Sequence, residues 1–333
     1  MKRLLILILI LSCLLSGCGQ KNQGPYRYTD YTLFDTVTTI LGYGESEAVF
    51  EEQAQKICAE LQTYHRLFNI YEEYDGLANL KTVNDRAGIA PVRVEQPILD
   101  LLQSCEDYYV ITDHMVNVGM GSLLSLWHDA RLQAMETPDR AEIPEADLRI
   151  RAQKHMDLNN MELDLEGKTV FLRDPEMRLD VGAVAKGWAA QKVSQHAPAG
   201  MLISVGGNVC ASGPKPDGSP WVVGIQNPDG EGYLNTVELR RGAVVTSGDY
   251  QRYFEAEGKR YHHIIDPRST FPGGEWRSVT VMAEDSALAD ALSTALFLLP
   301  QDRGQQLLDA VGAQGVWLSK EGELLYSRDF PDR

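Results

Sequence analysis

Beyond residue 15 this 333-residue chain has no long apolar run. Nothing after that point could cross a bilayer as a helix, which takes about 20 such residues. Positive charge is scarce too. Lys and Arg number 31 against 47 Asp and Glu, the net charge is −16, and no basic run occurs. Such a chain repels a phosphate backbone, which excludes nonspecific nucleic-acid binding. A phosphate-bearing ligand would need a local device: backbone N–H groups, a placed Lys, or a divalent cation. The five cysteines include no CxxC and no zinc spacing, which excludes a disulfide scaffold and a zinc ribbon. Walker A and GxGxxG fingerprints are missing, as are internal repeats and low-complexity linkers after residue 25. What remains is 44% hydrophobic, with 29 Gly and 15 Pro. That is an ordinary globular composition with enough chain for a large core.

The one long apolar run lies at the N-terminus. Lys2 and Arg3 precede Leu4 to Leu15, and Leu15-Ser16-Gly17-Cys18 sets small residues before a cysteine. The pattern resembles a bacterial lipobox. It predicts a lipoprotein signal peptide over 1–17, a lipidated Cys18 with a tether over 18–27, and a folded domain over 28–330. A plain transmembrane anchor is the alternative, and the run is short for one. The expected location is extracytoplasmic, lipid-anchored to a bacterial membrane through Cys18. Cys58, Cys105 and Cys210 then read as buried thiols. A Cys58–Cys105 disulfide suits the compartment, but nothing in the sequence compels it.

Periodicity predicts a strand over Tyr28–Tyr43 and a helix capped by Ser46 and running to about Leu67. Tyr71–Asn84 is polar and aperiodic. A helix is expected over Pro97–Thr112, and a polar surface excursion over Trp127–Arg149, which holds Pro138 and Pro144. A hairpin over Met161–Leu172 turns at Glu166-Gly167. After a helix over Ala183–His196, strands are expected over Leu202–Ser212, Trp221–Gln226, Leu234–Leu239, Ala243–Thr246, Arg252–Ile265 and Ser278–Ala283. Asp285–Leu299 reads as an Ala- and Leu-rich helix, followed by a helix over 304–311 and a hairpin over 315–327. The fold class is α+β, one domain, with strands concentrated in the C-terminal half.

Four segments could carry chemistry. In Arg178–Ala189 a strand ends at Asp180, Gly182 allows a tight turn, and a helix opens near Ala183. A helix N-terminus suits an anion, and Lys186 in its first turn is unexpected without negative charge nearby. Gly206 and Gly207 inside a strand pattern imply a bulge or a close backbone approach. Asn208 beside them either reads a ligand or stabilises the turn. Next, His262 and His263 are adjacent on a strand, so they should face opposite sides. Last, Asp290 and Thr294 stand four apart on one helix face among small Ala residues. A carboxylate and a hydroxyl are hard oxygen donors, suited to Mg²⁺ rather than zinc. A structural pair is the alternative.

Taken together, Asp-Val-Gly-Ala-Val-Ala-Lys-Gly-Trp-Ala, Ser-Val-Gly-Gly-Asn, His-Ile-Ile-Asp-Pro-Arg and Ala-Asp-Ala-Leu-Ser-Thr-Ala resemble the ApbE family, the FAD:protein FMN transferases. The resemblance covers roughly residues 30–327 and implies a single T-fold-like α+β domain. It implies a Mg²⁺ site formed by Asp290, Thr294 and the carbonyl of Ala183. It implies FAD contacts at Phe34, Tyr71, Met115, Val116, Asn117, Asp180, Lys186, Ile265 and Ser293, and an active-site histidine at His263. Asn117 stands where the family usually carries Asp, and Trp188 where Tyr is usual.

The implied activity is Mg-dependent cleavage of FAD, with FMN moved through a phosphoester onto a Thr or Ser of a partner protein and AMP released. His263 is the expected base and Asp290 the expected catalytic metal ligand. The implied partner is an exported redox or ion-pumping subunit with an FMN-binding domain. The alternatives are an FAD pyrophosphatase that releases free FMN, and a flavin-binding lipoprotein with no chemistry.

Overall fold

The computed structural model describes residues 24–330. The expected signal peptide (1–17), Cys18 and most of the tether lie outside them. The chain opens on an antiparallel pair, β1 (Tyr26–Asp30) and β2 (Thr38–Gly42). Next come α1 (Glu47–Phe68), α2 (Leu80–Asp85), β3 (Val92–Arg93), α3 (Gln96–Ile111), α4 (Gly121–Glu136) and α5 (Ala146–Gln153). The hairpin β4 (Met161–Asp164) and β5 (Thr169–Leu172) leads to α6 (Ala185–His196). Then follow β6 (Met201–Val205), β7 (Asn208–Ala211), β8 (Trp221–Gln226), β9 (Tyr233–Leu239), β10 (Gly242–Gly248), β11 (Tyr253–Ala256), β12 (Lys259–His262) and β13 (Trp276–Ala283). The chain closes with α7 (Ser286–Leu298), α8 (Gln301–Val311), β14 (Gln314–Ser319) and β15 (Leu324–Tyr326).

Eight strands form one antiparallel sheet in the order β1-β2-β6-β7-β10-β13-β14-β15. Successive residues of a strand face opposite sides, and both sides here are apolar. Ile203 and Val245 enter the main core beneath α6 and α7, with Ala189, Ala291 and Leu292. Their neighbours Leu202 and Val244 enter a second core against the β8–β9 hairpin, with Trp221 and Val223. Helices on one face and a hairpin on the other make the expected α+β domain. Small residues on α6 and α7 let the two helices pack closely beside the sheet. A third cluster joins α4 and α5 to the β11–β12 hairpin through Trp127, Phe254 and Ile265. Among the described residues no helix is long and apolar enough to cross a membrane.

Local signals explain most elements. Ser46 accepts from the Val49 N–H at the start of α1, and Asp285 from the Leu288 N–H at the start of α7, each satisfying an otherwise unpaired donor. Four expectations are corrected. The polar excursion over Trp127–Arg149 is mainly helical. Leu123, Trp127, Ala130 and Ala134 form one buried stripe on α4, while Leu132 and Met135 stand exposed among the polar residues outside it, which blurs the helical period. Tyr28–Tyr43 and Leu202–Ser212 are not single strands. The first turns over between β1 and β2. The second turns at Gly206-Gly207, with φ of +59° and +92°, values that favour glycine and make a tight hairpin instead of a bulge. Arg252–Ile265 likewise contains a hairpin, turning at Glu257-Gly258. Cys58, Cys105 and Cys210 are buried free thiols.

Candidate active site

A cleft of about 440 Å³ opens where α6, α7 and β10 meet α4 and the β11–β12 hairpin. Its size suits a small organic ligand. Every site residue expected within 24–330 lines it, except Ser293.

The deep wall carries the oxygen donors. Asp290 sits mid-helix on α7, only 4% exposed, and its Oδ2 accepts from the Gly187 N–H at 2.8 Å. Gly187 has to be glycine here. A Cβ would fall 2.5 Å from the Cβ of Asp290 and collide with the Ser286 carbonyl. Burial raises the Asp290 carboxyl above its ordinary value, against the opposing pull of Lys186 and the Gly187 N–H. A buried carboxylate disfavoured in this way is stabilised by an added cation. Asn208 lies nearby, 2% exposed, and its Nδ2 has no partner within hydrogen-bonding distance.

The hydroxyls beside Asp290 have a deducible direction. Ser293 Oγ donates to the Asp290 carbonyl at 3.0 Å. It therefore accepts from Ser247 Oγ at 2.8 Å, and Ser247 in turn accepts from Thr294 Oγ1 at 3.3 Å. Each hydroxyl has a single hydrogen. The Thr294 hydrogen is thus turned toward β10, and a lone pair is left for the cleft. Ser293 is 0% exposed and faces β10. It does not line the cleft: one residue before Thr294 on a helix, it points about 100° away. Ser247 was missed by the sequence reading. Its only signal was a polar residue ending an apolar strand.

The loop entering α6 contributes Asp180, Ala183 and Lys186. Asp180 Oδ1 accepts from the Gly182 N–H at 2.8 Å, which fixes the turn. Enclosure raises its carboxyl, while His128, Lys186 and Arg252 oppose the rise. Lys186 follows the first residue of α6, and its Nζ donates to the Gly182 carbonyl at 3.1 Å. Asp180 and Asp290 supply the negative charge that makes a lysine tolerable there.

His263 stands on the opposite wall, just past β12. Its N–H donates to the Arg252 carbonyl at 3.1 Å, and its Nδ1 lies 3.3 Å from the same oxygen. A carbonyl only accepts, so Nδ1 carries the hydrogen and Nε2 offers a lone pair. The ring meets cleft solvent, yet the enclosing walls hold the imidazole well below its usual value, followed by the charges of Arg252, His262 and Lys186. It is neutral at pH 7. His262 was expected to face away, but it also borders the cleft, with its ring edge-on to Phe297 at 5.4 Å.

The remaining residues shape the floor and mouth. Phe34 has φ +53°, and its N–H donates to His65 Nδ1 at 3.0 Å, which holds the ring in place. Met115 and Val116 are buried floor. Asn117 is fully engaged: Nδ2 donates to the Met156 carbonyl at 2.9 Å, and Oδ1 accepts from the Gly119 N–H at 2.8 Å. Neutral Asn thus serves the loop's shape where a carboxylate would carry charge. Ile265 borders the cleft from the third core. Tyr71 stacks on His128 with ring centroids 5.0 Å apart. His65, His128, Arg131 and Arg252 went unread because each stands outside any motif.

Hard oxygens, a neutral imidazole with a free lone pair, and cations beside a helix start make a site for anionic phosphate esters. The chain belongs to the ApbE family, whose model matches residues 34–317. It is 32% identical to the FAD:protein FMN transferase of Klebsiella pneumoniae (strain 342) over 277 residues, 79% of this chain and 84% of that one. It is 31% identical to the FAD:protein FMN transferase of Treponema pallidum (strain Nichols) over 350 residues, 97% of this chain and 94% of the relative. The crystal structure of the ApbE protein from Thermotoga maritima matches at TM-score 0.81 and 28% identity, covering 91% of this chain and 97% of that one.

Proposed function

We propose that this chain is an FAD:protein FMN transferase. The observation that carries the reading is the meeting, in one cleft, of the Asp290–Thr294 oxygen pair with a neutral His263. The acceptor's Thr or Ser hydroxyl oxygen bonds to the phosphorus on the FMN side of FAD. The bond from that phosphorus to the bridging oxygen breaks, and AMP leaves with that oxygen. The hydroxyl proton passes to Nε2 of His263, the nitrogen left unprotonated by the Arg252 carbonyl.

A magnesium ion fits the residues present. Among the described residues no group of three or more His, Cys, Asp or Glu side chains is gathered to hold a metal. Magnesium, however, is commonly held by one or two carboxylates plus substrate phosphates. Asp290, the Thr294 lone pair and the Ala183 carbonyl would hold it. When bound, it neutralises charge that builds on the phosphate oxygens. Lys186 and the N–H groups at the start of α6 add fixed positive potential in the same region. The lipid anchor at Cys18, the extracytoplasmic location and an exported acceptor with an FMN-binding domain belong to the same proposal. The lipobox pattern and the family's habit of export support them.

The test is incubation with FAD, Mg²⁺ and a purified FMN-binding domain, followed by intact-mass analysis. We expect one FMN per acceptor and an equal amount of AMP. Free FMN with an unmodified acceptor would instead make the protein a pyrophosphatase. Unchanged FAD would leave a binding protein.

A further inference from the structure

Three cations line the cleft: Lys186 on α6, Arg131 on α4, and Arg252 in the loop between β10 and β11. Among the described residues none of the three is ion-paired with an Asp or Glu. Lys186 donates to the Gly182 carbonyl, and the Arg131 guanidinium meets the Met135 sulfur at 3.5 Å. A chain with 47 acidic residues has carboxylates in excess. Arg131 and Arg252 pair with none of them and are free to meet an anion brought from outside.

All three share the cleft with the oxygen donors Asp290 and Thr294 and with the stacked Tyr71–His128 pair, whose planes differ by 26°. The cleft therefore offers hard oxygens, cations and an aromatic face to one ligand, the groups that a diphosphate with an attached ring would meet. Guanidinium groups match phosphate oxygens with paired donors, which a single lysine cannot.

We infer that Arg252 and Arg131 hold the diphosphate of FAD and set the chain's preference for the dinucleotide over an unphosphorylated flavin. The inference rests on the flavin transferase reading. Both arginines recognise substrate and do not take part in proton transfer. The hold that Arg252 has on His263 is through its backbone carbonyl, so replacing its side chain leaves the imidazole in place.

The experiment is fluorescence titration of FAD and of riboflavin into the full chain without acceptor, for wild type, Arg252→Gln, Arg131→Gln and the double variant. Riboflavin has the same ring and no phosphate. Each substitution should weaken FAD about ten-fold, and riboflavin by less than about two-fold. Raising salt to about 0.5 M should weaken FAD binding in wild type and much less in the double variant. Unchanged FAD affinity in the double variant would overturn the inference, as would equal weakening of both ligands. A wild-type chain that binds neither ligand would overturn the flavin reading beneath it.

Discussion

The two walls of the cleft are built on different principles. The deep wall, α6, α7 and β10, is small-residue, close-packed and internally hydrogen-bonded. Asp290 is 4% exposed, Ser293 0%, and the hydroxyls of Ser293, Ser247 and Thr294 each have a direction. The outer wall, α4 and the β11–β12 hairpin, rests on its own aromatic core. There Trp127 stacks on Tyr261 at 5.8 Å, and the Arg149 guanidinium lies 3.8 Å from the centre of the Phe271 ring. Its cleft-facing side carries the half-buried Arg131 and, beside the hairpin, the exposed Arg252, neither ion-paired with an Asp or Glu among the described residues. Fixed groups suit chemistry, where small displacements are costly. Long side chains on a separately supported surface suit recognition of a flexible ligand. His263 bridges the two, being placed by the outer wall and aimed at the inner one.

Variants can break this division. The largest effect is expected at His263. His263→Gln should lower the transfer rate about 10²- to 10⁴-fold, with FAD affinity changed little, as read from single-turnover kinetics and titration. The pH profile sharpens the point. The native imidazole sits below its unfolded value of about 6.5, so it stays neutral as pH falls through that value. Wild-type transfer should then be flat from about pH 7 to 6, where an ordinary histidine would lose about three-fold. The same sign makes the fold less stable as pH drops below about 6.5, because the unfolded chain takes up the proton first. Thermal melts across that range check this.

Next is Gly187→Ala. The added methyl has no room between α6 and α7, and overpacking of this kind costs about 3 kcal/mol, measurable by urea denaturation. An equally stable variant would show that the deep wall yields more than its packing implies. The smallest effect is expected for Ser247→Ala. Without its acceptor, the Thr294 hydroxyl can turn its hydrogen into the cleft. Mg²⁺ affinity should fall about three- to ten-fold, measured by calorimetry, while the melting temperature stays nearly constant.

The deep wall was largely legible in the sequence. Asp290 and Thr294 share a helix face by spacing alone, Gly182 marks a turn, and the Ala-rich run marks tight packing. What spacing could not reveal was the partner across the gap. Ser293 sits one position from Thr294, and only the packing of α7 on β10 turns it inward to Ser247. The outer wall was hardly legible. Its helix α4 also exposes Leu132 and Met135 and is followed by two prolines, so the Leu123–Trp127–Ala130–Ala134 stripe did not stand out. Its arginines have no neighbours in sequence that explain them, because the stacked rings and His263 reach them only through the fold. Resemblance to a family pointed to Tyr71 and His263 and was silent at Arg131 and Arg252.

The most direct test of the division is Asp290→Asn, measured for FAD binding, for transfer in the presence of Mg²⁺, and for thermal stability without metal. Burial disfavours the Asp290 charge at every pH above its raised value, so removing that charge should raise the metal-free melting temperature at pH 7. The gain should vanish in acid below about pH 3.9, where the carboxyl is protonated in both states. FAD should still bind within about three-fold, and transfer should fall at least about 100-fold. Near-normal transfer, or loss of FAD binding in step with transfer, would contradict the account.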